Sequence, residues 1–334
     1  MDAPPPHPPD RRNLVYAELT GQQLLLDLYR PDTQRPAPVV VYFHSGGWRA
    51  GSKDACKLQW LTRYGFAVAS VNYRLLPRYR FPTQVHDAKA AVRFLRAHAD
   101  TFGLHPEQFV AAGLSSGAYL ACMLGLTAGH VGLEAPPNLP ADTPPAVPAP
   151  HPPLVSGDAA PHHHPAGDTT PPHPGLPGQR NLYLETPSHV QAVVNYAAMT
   201  NFISLQDLAS RRGSLAQRSP EAQFLGHAVR ENLDRVRLAN PLDHIHPDAP
   251  PFLHLHGDRN DVTPIDQTRK FHEALQNQGV TSKFILVRGA GHNSRRLTDH
   301  PSIRDRVADF LHRHLGTEGG MRAVFEENKP RQDE

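Results

Sequence analysis

Cysteine is scarce in this chain, two residues in 334, which argues against a disulfide framework. Cys56 and Cys122 each fall in a stretch that reads as helix and are expected to be buried thiols of a cytoplasmic protein. Neither sign of charge is in excess: 34 Lys and Arg against 32 Asp and Glu leave a formal net charge of +2. With no basic cluster interleaved with aromatics, nucleic acid is not an expected partner. No apolar run approaches the roughly 18 residues that span a bilayer, so no membrane span is expected. The opening Met1-Asp2-Ala3-Pro4-Pro5-Pro6 lacks the basic-then-apolar order of a secretory signal. Nothing in the composition speaks to oligomeric state.

Proline, by contrast, is abundant and unevenly placed. Five of the first ten residues are proline, and 1–12 reads as a disordered leader. Between 136 and 177, fifteen of 42 residues are proline around a His162-His163-His164 run, with no apolar period. Such a stretch cannot bury enough surface to offset its ordering entropy, so 130–187 is expected as a disordered insertion. A histidine triplet flanked by prolines has no fixed ligand geometry, and no metal site is assigned to it. The last residues, 317–334, read as a flexible tail.

The remaining chain, 13–316, reads as one domain. Leu14-Val15-Tyr16 and Leu24–Tyr29 form an expected antiparallel pair turning near Gly21. Pro38–Phe43, Gly65–Val71, Phe109–Leu114, Val190–Tyr196, Phe252–Leu255 and Phe284–Val287 are short apolar runs, the mark of strands covered on both faces. Helical patterns alternate with them: Ala88, Val92, Leu95 and Ala99 fall on one stripe, and Ser115–Thr127, Ile265–Gln278 and Ile303–Leu315 behave similarly. Alternation of this kind implies an α/β fold, a mostly parallel sheet with helices on both faces. Ser219-Pro220-Glu221 reads as a helix start, inside a segment 201–240 expected to roof the site.

Chemistry concentrates where strands end. Gly113-Leu114-Ser115-Ser116-Gly117 places a G-x-S-x-G pattern between a strand and a helix, the context in which it means a nucleophile elbow. A serine needs a base, and the base needs a third group to hold its tautomer. His292, in the glycine-rich Arg288–Asn293 loop after the last strand, is the expected base. The loop after the preceding strand, Leu255–Pro264, offers Asp258, Asn260 and Asp261 as the third group. His44-Ser45-Gly46-Gly47-Trp48 follows the first core strand, where backbone N–H groups of Gly46 and Gly47, with that of Ser116, would stabilise an oxyanion.

Taken together, these residues resemble the α/β-hydrolase superfamily, and more narrowly the hormone-sensitive-lipase and bacterial feruloyl-esterase-like carboxylesterases. The resemblance runs from about Val39 to Leu315. It rests on the motifs above with Val71–Leu75, Phe81-Pro82, Asp87–Leu95, Ser219–Glu221, Pro250–Asp258 and Gly289–His292. It implies Ser115 as nucleophile, His292 as base, and the amides of Gly46, Gly47 and Ser116 as oxyanion hole, with Asp87 and Tyr73-Arg74 structural. It implies a serine carboxylesterase of short or aromatic acyl esters, a small-molecule ester as partner, and no metal or organic cofactor. Three departures stand out: His-Ser-Gly-Gly for His-Gly-Gly-Gly, Ala198–Asn201 for Gly-Pro-Thr-Asp, and Asn260 where the family carries its acid. A one-residue shift would let Asp261 take the acid's role, with Asp258 in reserve. A catalytically weakened hydrolase that binds a ligand or protein is the alternative. A prolyl-oligopeptidase-type peptidase is disfavoured because the chain is too short for the added propeller domain.

Overall fold

The computed structural model describes residues 8–19, 22–135, 182–211 and 219–317. Its strands are β1 Arg11–Leu19, β2 Gln22–Tyr29, β3 Ala37–Phe43, β4 Ala67–Val71, β5 Leu104–Leu114, β6 Ala192–Tyr196, β7 Phe252–Gly257 and β8 Ser282–Val287. The helices are α1 Thr83–Ala97, α2 Ala99–Phe102, α3 Ser116–Leu126, α4 Val131–Glu134, α5 Phe202–Arg211, α6 Pro220–Leu225, α7 Leu233–Ala239, α8 Ile265–Asn277, α9 Arg295–Thr298 and α10 Pro301–Leu315.

Among the described residues, these strands form a single sheet in the order β1-β2-β4-β3-β5-β6-β7-β8. β1–β2 and β2–β4 pair antiparallel and every later neighbour pairs parallel. The central strand β3 is buried at all seven positions, and its side chains alternate between two cores. Val39, Val41 and Phe43 join the core with α1 and α3. Val40 and Tyr42 face the one built with Leu58, Leu61 and α10. Cover on both faces is why the run is continuously apolar rather than alternating.

The chain runs outward from β3 to β4 and then returns to β5 on the other side of β3. The carboxyl ends of β3 and β5 therefore flank a topological switch point, the place where α/β sheets hold their ligands. The expected oxyanion loop follows β3, and the expected nucleophile follows β5.

Several boundaries differ from the sequence-based expectation. β1 begins at Arg11, inside the 1–12 stretch that reads as leader, because Arg11 pairs with Leu28 and Asp10 accepts from the Arg30 backbone N–H. The insertion is narrower than 130–187: α4 is helical, and Leu182 and Ser188 are buried. Its remainder, 136–181, lies outside the described residues, as do 1–7 of the leader and 318–334 of the tail.

A buried ionic cluster explains the narrower edges. Glu134 accepts from Lys89 Nζ at 2.7 Å, from Arg93 at 2.6 Å and from the Ser188 hydroxyl at 3.0 Å. The same Arg93 guanidinium donates to the carbonyls of Glu134 and Leu182, so both edges of the insertion meet on one side chain. Lys89 and Arg93 sit on α1, which is buried well beyond the apolar stripe read from sequence. Buried charges of this kind persist only when paired and hydrogen-bonded. Cys56 follows a single tight turn rather than lying within a helix, and both cysteines are unpaired. No described helix is long and apolar enough to cross a membrane.

Candidate active site

Ser115 sits between β5 and α3 with φ 57° and ψ −117°, a conformation rare for a residue with a side chain. The neighbouring glycines show why it is held there. A Cβ on Gly113 would lie 2.3 Å from the Gly117 backbone, and one on Gly117 would lie 2.0 Å from the Phe43 carbonyl oxygen. Ser115 N–H donates to the Tyr196 carbonyl at 2.9 Å, tying the turn to β6. Backbone strain of this kind clusters at functional positions, which makes Ser115 a candidate.

The loop after β3 turns sharply. Gly46 has φ 127°, and a Cβ there would lie 2.0 Å from the Ala50 carbonyl oxygen. Gly47, at φ 61°, has open space where its Cβ would be, and with Gly46 it lines the cavity that Ser115 faces. Ser116 heads α3, where the first N–H groups have no partner within the helix. His44 braces this loop by stacking on Tyr73 at 4.3 Å, and Tyr73 Oη donates to the His44 carbonyl. Burial lowers the His44 pKa, which keeps the ring neutral.

His292 is 7 % exposed, in the turn between β8 and α9. Gly257 fixes how closely this turn approaches the loop after β7, since a Cβ there would lie 2.0 Å from the Ala290 carbonyl oxygen. His292 Nδ1 lies 3.1 Å from Asn260 Oδ1. Asn260, not Asp261, is therefore the residue at hydrogen-bond distance from His292. Asp261 is exposed and acts on His292 only through its charge, raising a pKa that burial lowers more strongly. Asp258 is committed elsewhere, accepting from Gly289 N–H at 2.7 Å.

The reason lies in the shape of the loop. Asn260 Oδ1 also accepts the N–H groups of Val262 and Thr263, both at 3.0 Å, while its buried Nδ2 has no partner. Three donors converge on one oxygen, so turning the amide over would set its NH₂ against them. His256 closes the loop from below, between Thr268 Oγ1 at 2.8 Å and the Thr263 carbonyl at 3.0 Å. Burial takes its pKa down to about 4, so it serves as a neutral brace. A shift that installed Asp261 would break these contacts.

Ser115, His292, Gly46 and Gly47 share a cavity of about 750 Å³ with Met199, Leu205, Leu208, Glu221 and Val262. Its roof comes from α5 and α6. An aromatic cluster that sequence reasoning missed ties the roof down: Trp48 stacks on Phe224 at 4.1 Å, and Tyr119 stacks on Phe202 at 5.5 Å. These residues are scattered over 48–224 with no common period, so no local pattern announces them. The unusual Ala198–Asn201 segment is held by Gln267 Oε1, which accepts from Thr200 and Asn201 N–H at 2.9 and 2.8 Å. Arg74 and Asp87 form a buried pair at 2.5 Å beneath the site, a structural role.

Residues 26–275 match the model of the BD-FAE family. The chain is similar to the Esterase LipC of Mycobacterium tuberculosis, 28% identical over 293 residues that cover 84% of this chain and 59% of the relative. It is also similar to a probable isoprenylcysteine alpha-carbonyl methylesterase, ICMEL1, of Arabidopsis thaliana, at 28% identity over 86% of this chain and 52% of that one. The chain thus spans a little over half the length of these relatives. Among solved structures, a truncated carbohydrate esterase from gut microbiota superposes with a TM-score of 0.66 at 26% identity, covering 92% of this chain and 96% of the other.

Proposed function

This chain belongs to the BD-FAE family of α/β-hydrolases, and from that membership we propose that it is a serine carboxylesterase acting through an acyl-enzyme on Ser115. The observation that carries the reading is the sharing of one cavity by a serine on a strained elbow, a buried histidine and two glycine amides. The esterase names of the similar proteins support the reaction class. Short or aromatic acyl esters suit the cavity, whose volume of about 750 Å³ falls within the range of small-molecule sites. The two unpaired thiols fit a cytoplasmic setting.

The proposed steps use these groups in turn. Asn260 Oδ1 holds the proton on His292 Nδ1, which leaves Nε2 as the base. Nε2 takes the Ser115 hydroxyl proton as Oγ attacks the ester carbonyl, and the amides of Gly46, Gly47 and Ser116 receive the oxyanion. Collapse expels the alcohol with the proton from Nε2, and water activated by the same nitrogen releases the acid. In a serine protease, Asp-to-Asn at this position costs about 10⁴ through the wrong tautomer. Here the pinned amide presents its oxygen and selects the productive tautomer, so what is lost is the charge.

A p-nitrophenyl ester panel of increasing chain length, with a feruloyl ester included, tests this. Ser115→Ala is expected to lower kcat by about 10⁶, as loss of a catalytic serine does, and to abolish fluorophosphonate labelling. Asn260 favours one second reading, a weakened hydrolase that binds a ligand. Absence of fluorophosphonate labelling in the unaltered protein would select it.

A further inference from the structure

One carboxyl in the cavity wall has no part in that chemistry. Glu221 is 7 % exposed, on the first turn of α6, and lines the same cavity as Ser115 and His292. The Ser219 hydroxyl and the backbone N–H of Glu221 itself are the polar groups that favour its ionised carboxyl. Ser219 Oγ in turn accepts from Ala222 N–H at 3.0 Å, which fixes it as the N-cap of α6. No lysine or arginine among the described residues pairs with Glu221. Burial pushes its pKa up, with no neighbouring charge opposing the shift. A carboxyl with four acceptor positions has spare hydrogen-bonding capacity after these two contacts. Where a bound ester displaces water from the cavity, leaving that capacity unmet is unfavourable, so a ligand that meets it is selected.

We propose that Glu221 is a specificity residue that hydrogen-bonds a hydroxyl group of the ester substrate. A hydroxyl suits this position better than a cation does. It can accept from a protonated carboxyl or donate to an ionised one, whereas an ammonium requires the ionised form that burial disfavours. Met199, Leu205 and Leu208 give the cavity apolar walls, and Glu221 adds a carboxyl beside them. A site that hydrogen-bonds a substrate hydroxyl rejects the analogue lacking it far better than an apolar pocket separates chain lengths.

This inference rests on the esterase reading, and paired substrates separate the two. 2,3-Dihydroxypropyl butyrate against n-propyl butyrate tests the alcohol side. p-Nitrophenyl 3-hydroxybutyrate against p-nitrophenyl butyrate tests the acyl side. The unaltered enzyme is expected to prefer the hydroxylated member of one pair in kcat/KM by about tenfold, the scale of one hydrogen bond to a charged or strongly polar group. Glu221→Leu is expected to bring the kcat/KM ratio within that pair to about one, and Glu221→Gln, which keeps a donor and an acceptor, to retain most of the preference. An unchanged ratio in Glu221→Leu overturns the inference, as does an equal fall on both members, which marks a packing role. A preference for butyrylcholine over its uncharged 3,3-dimethylbutyl analogue that vanishes in Glu221→Leu also overturns it, since the group then reads charge. Hydrolysis of no ester by the unaltered protein defeats the esterase reading itself, and this inference with it.

Discussion

The elbow at 113–117 and the loop at 257–263 each deliver a group to the same cavity, and different forces hold them. At the elbow the constraint is steric. Gly113 and Gly117 are pressed against backbone, and Ser115 between them sits at a positive φ. At the second loop the constraint is hydrogen bonding. One amide oxygen gathers the N–H groups of Val262, Thr263 and His292, and His256 holds the far side. Sterics tolerate almost no change of residue. A hydrogen-bonded loop tolerates replacement of a carboxylate by an amide, provided the oxygen stays where the donors need it.

Gly117→Ala probes the steric loop and carries the largest expected effect. Its methyl would meet the Phe43 carbonyl at 2.0 Å, and because both partners are backbone, the elbow itself must move. A displacement on the order of 1 Å at a nucleophile lowers the rate by about 10²-fold. Measured kcat on p-nitrophenyl butyrate should fall at least that far, with a lower Tm. A variant that keeps half its activity would show that the elbow is not sterically determined.

Asn260→Asp probes the hydrogen-bonded loop and is expected to raise activity. The carboxylate can accept the same three donors, and its second oxygen replaces an NH₂ that has no partner. It adds the charge that stabilises the imidazolium, about tenfold in kcat for each pKa unit of stabilisation. The sign of the pH effect follows. Burial holds the His292 pKa below its ordinary value, so the neutral base persists to lower pH. A neighbouring carboxylate favours the protonated ring, so the acid limb of kcat/KM should move to higher pH. The gain is therefore largest above neutrality. A decrease in kcat at pH 8 would show that the amide is required.

This contrast also explains what could be read from the chain. The strands, their order of chemistry and the elbow were legible because apolar runs and small-residue spacing are local records of burial and steric contact. Ser115, His292, Gly46 and Gly47, the candidates read from local spacing, line one cavity. The third member was not legible, because three carboxylates and amides lie within four residues and only the backbone N–H directions choose among them. The shift to Asp261 assumed that charge would decide, whereas the geometry of Val262 and Thr263 decides for Asn260. The edges of the insertion were missed for a related reason. Lys89 and Arg93 look like the solvated face of α1 until Glu134, some forty residues on, is seen to pair with both.

Asp261 offers the finest test of the comparison, because it touches the base through charge alone. Its carboxylate raises the His292 pKa without a hydrogen bond to the ring. An exposed charge contributes little in water, about 1 kcal/mol or less, so Asp261→Ala should lower kcat/KM by roughly two- to threefold. Because a raising influence is removed, the acid limb should move to lower pH, opposite in sign to Asn260→Asp. Screening gives a further check, since a through-water interaction weakens as the Debye length falls from about 10 Å at 0.1 M salt to about 3 Å at 1 M. The difference between Asp261→Ala and the unaltered enzyme should therefore close at high salt, while the gain in Asn260→Asp persists because its contact with His292 is direct. A loss in Asp261→Ala that matches loss of the base and survives 1 M salt would return Asp261 to the position the loop geometry assigns to Asn260.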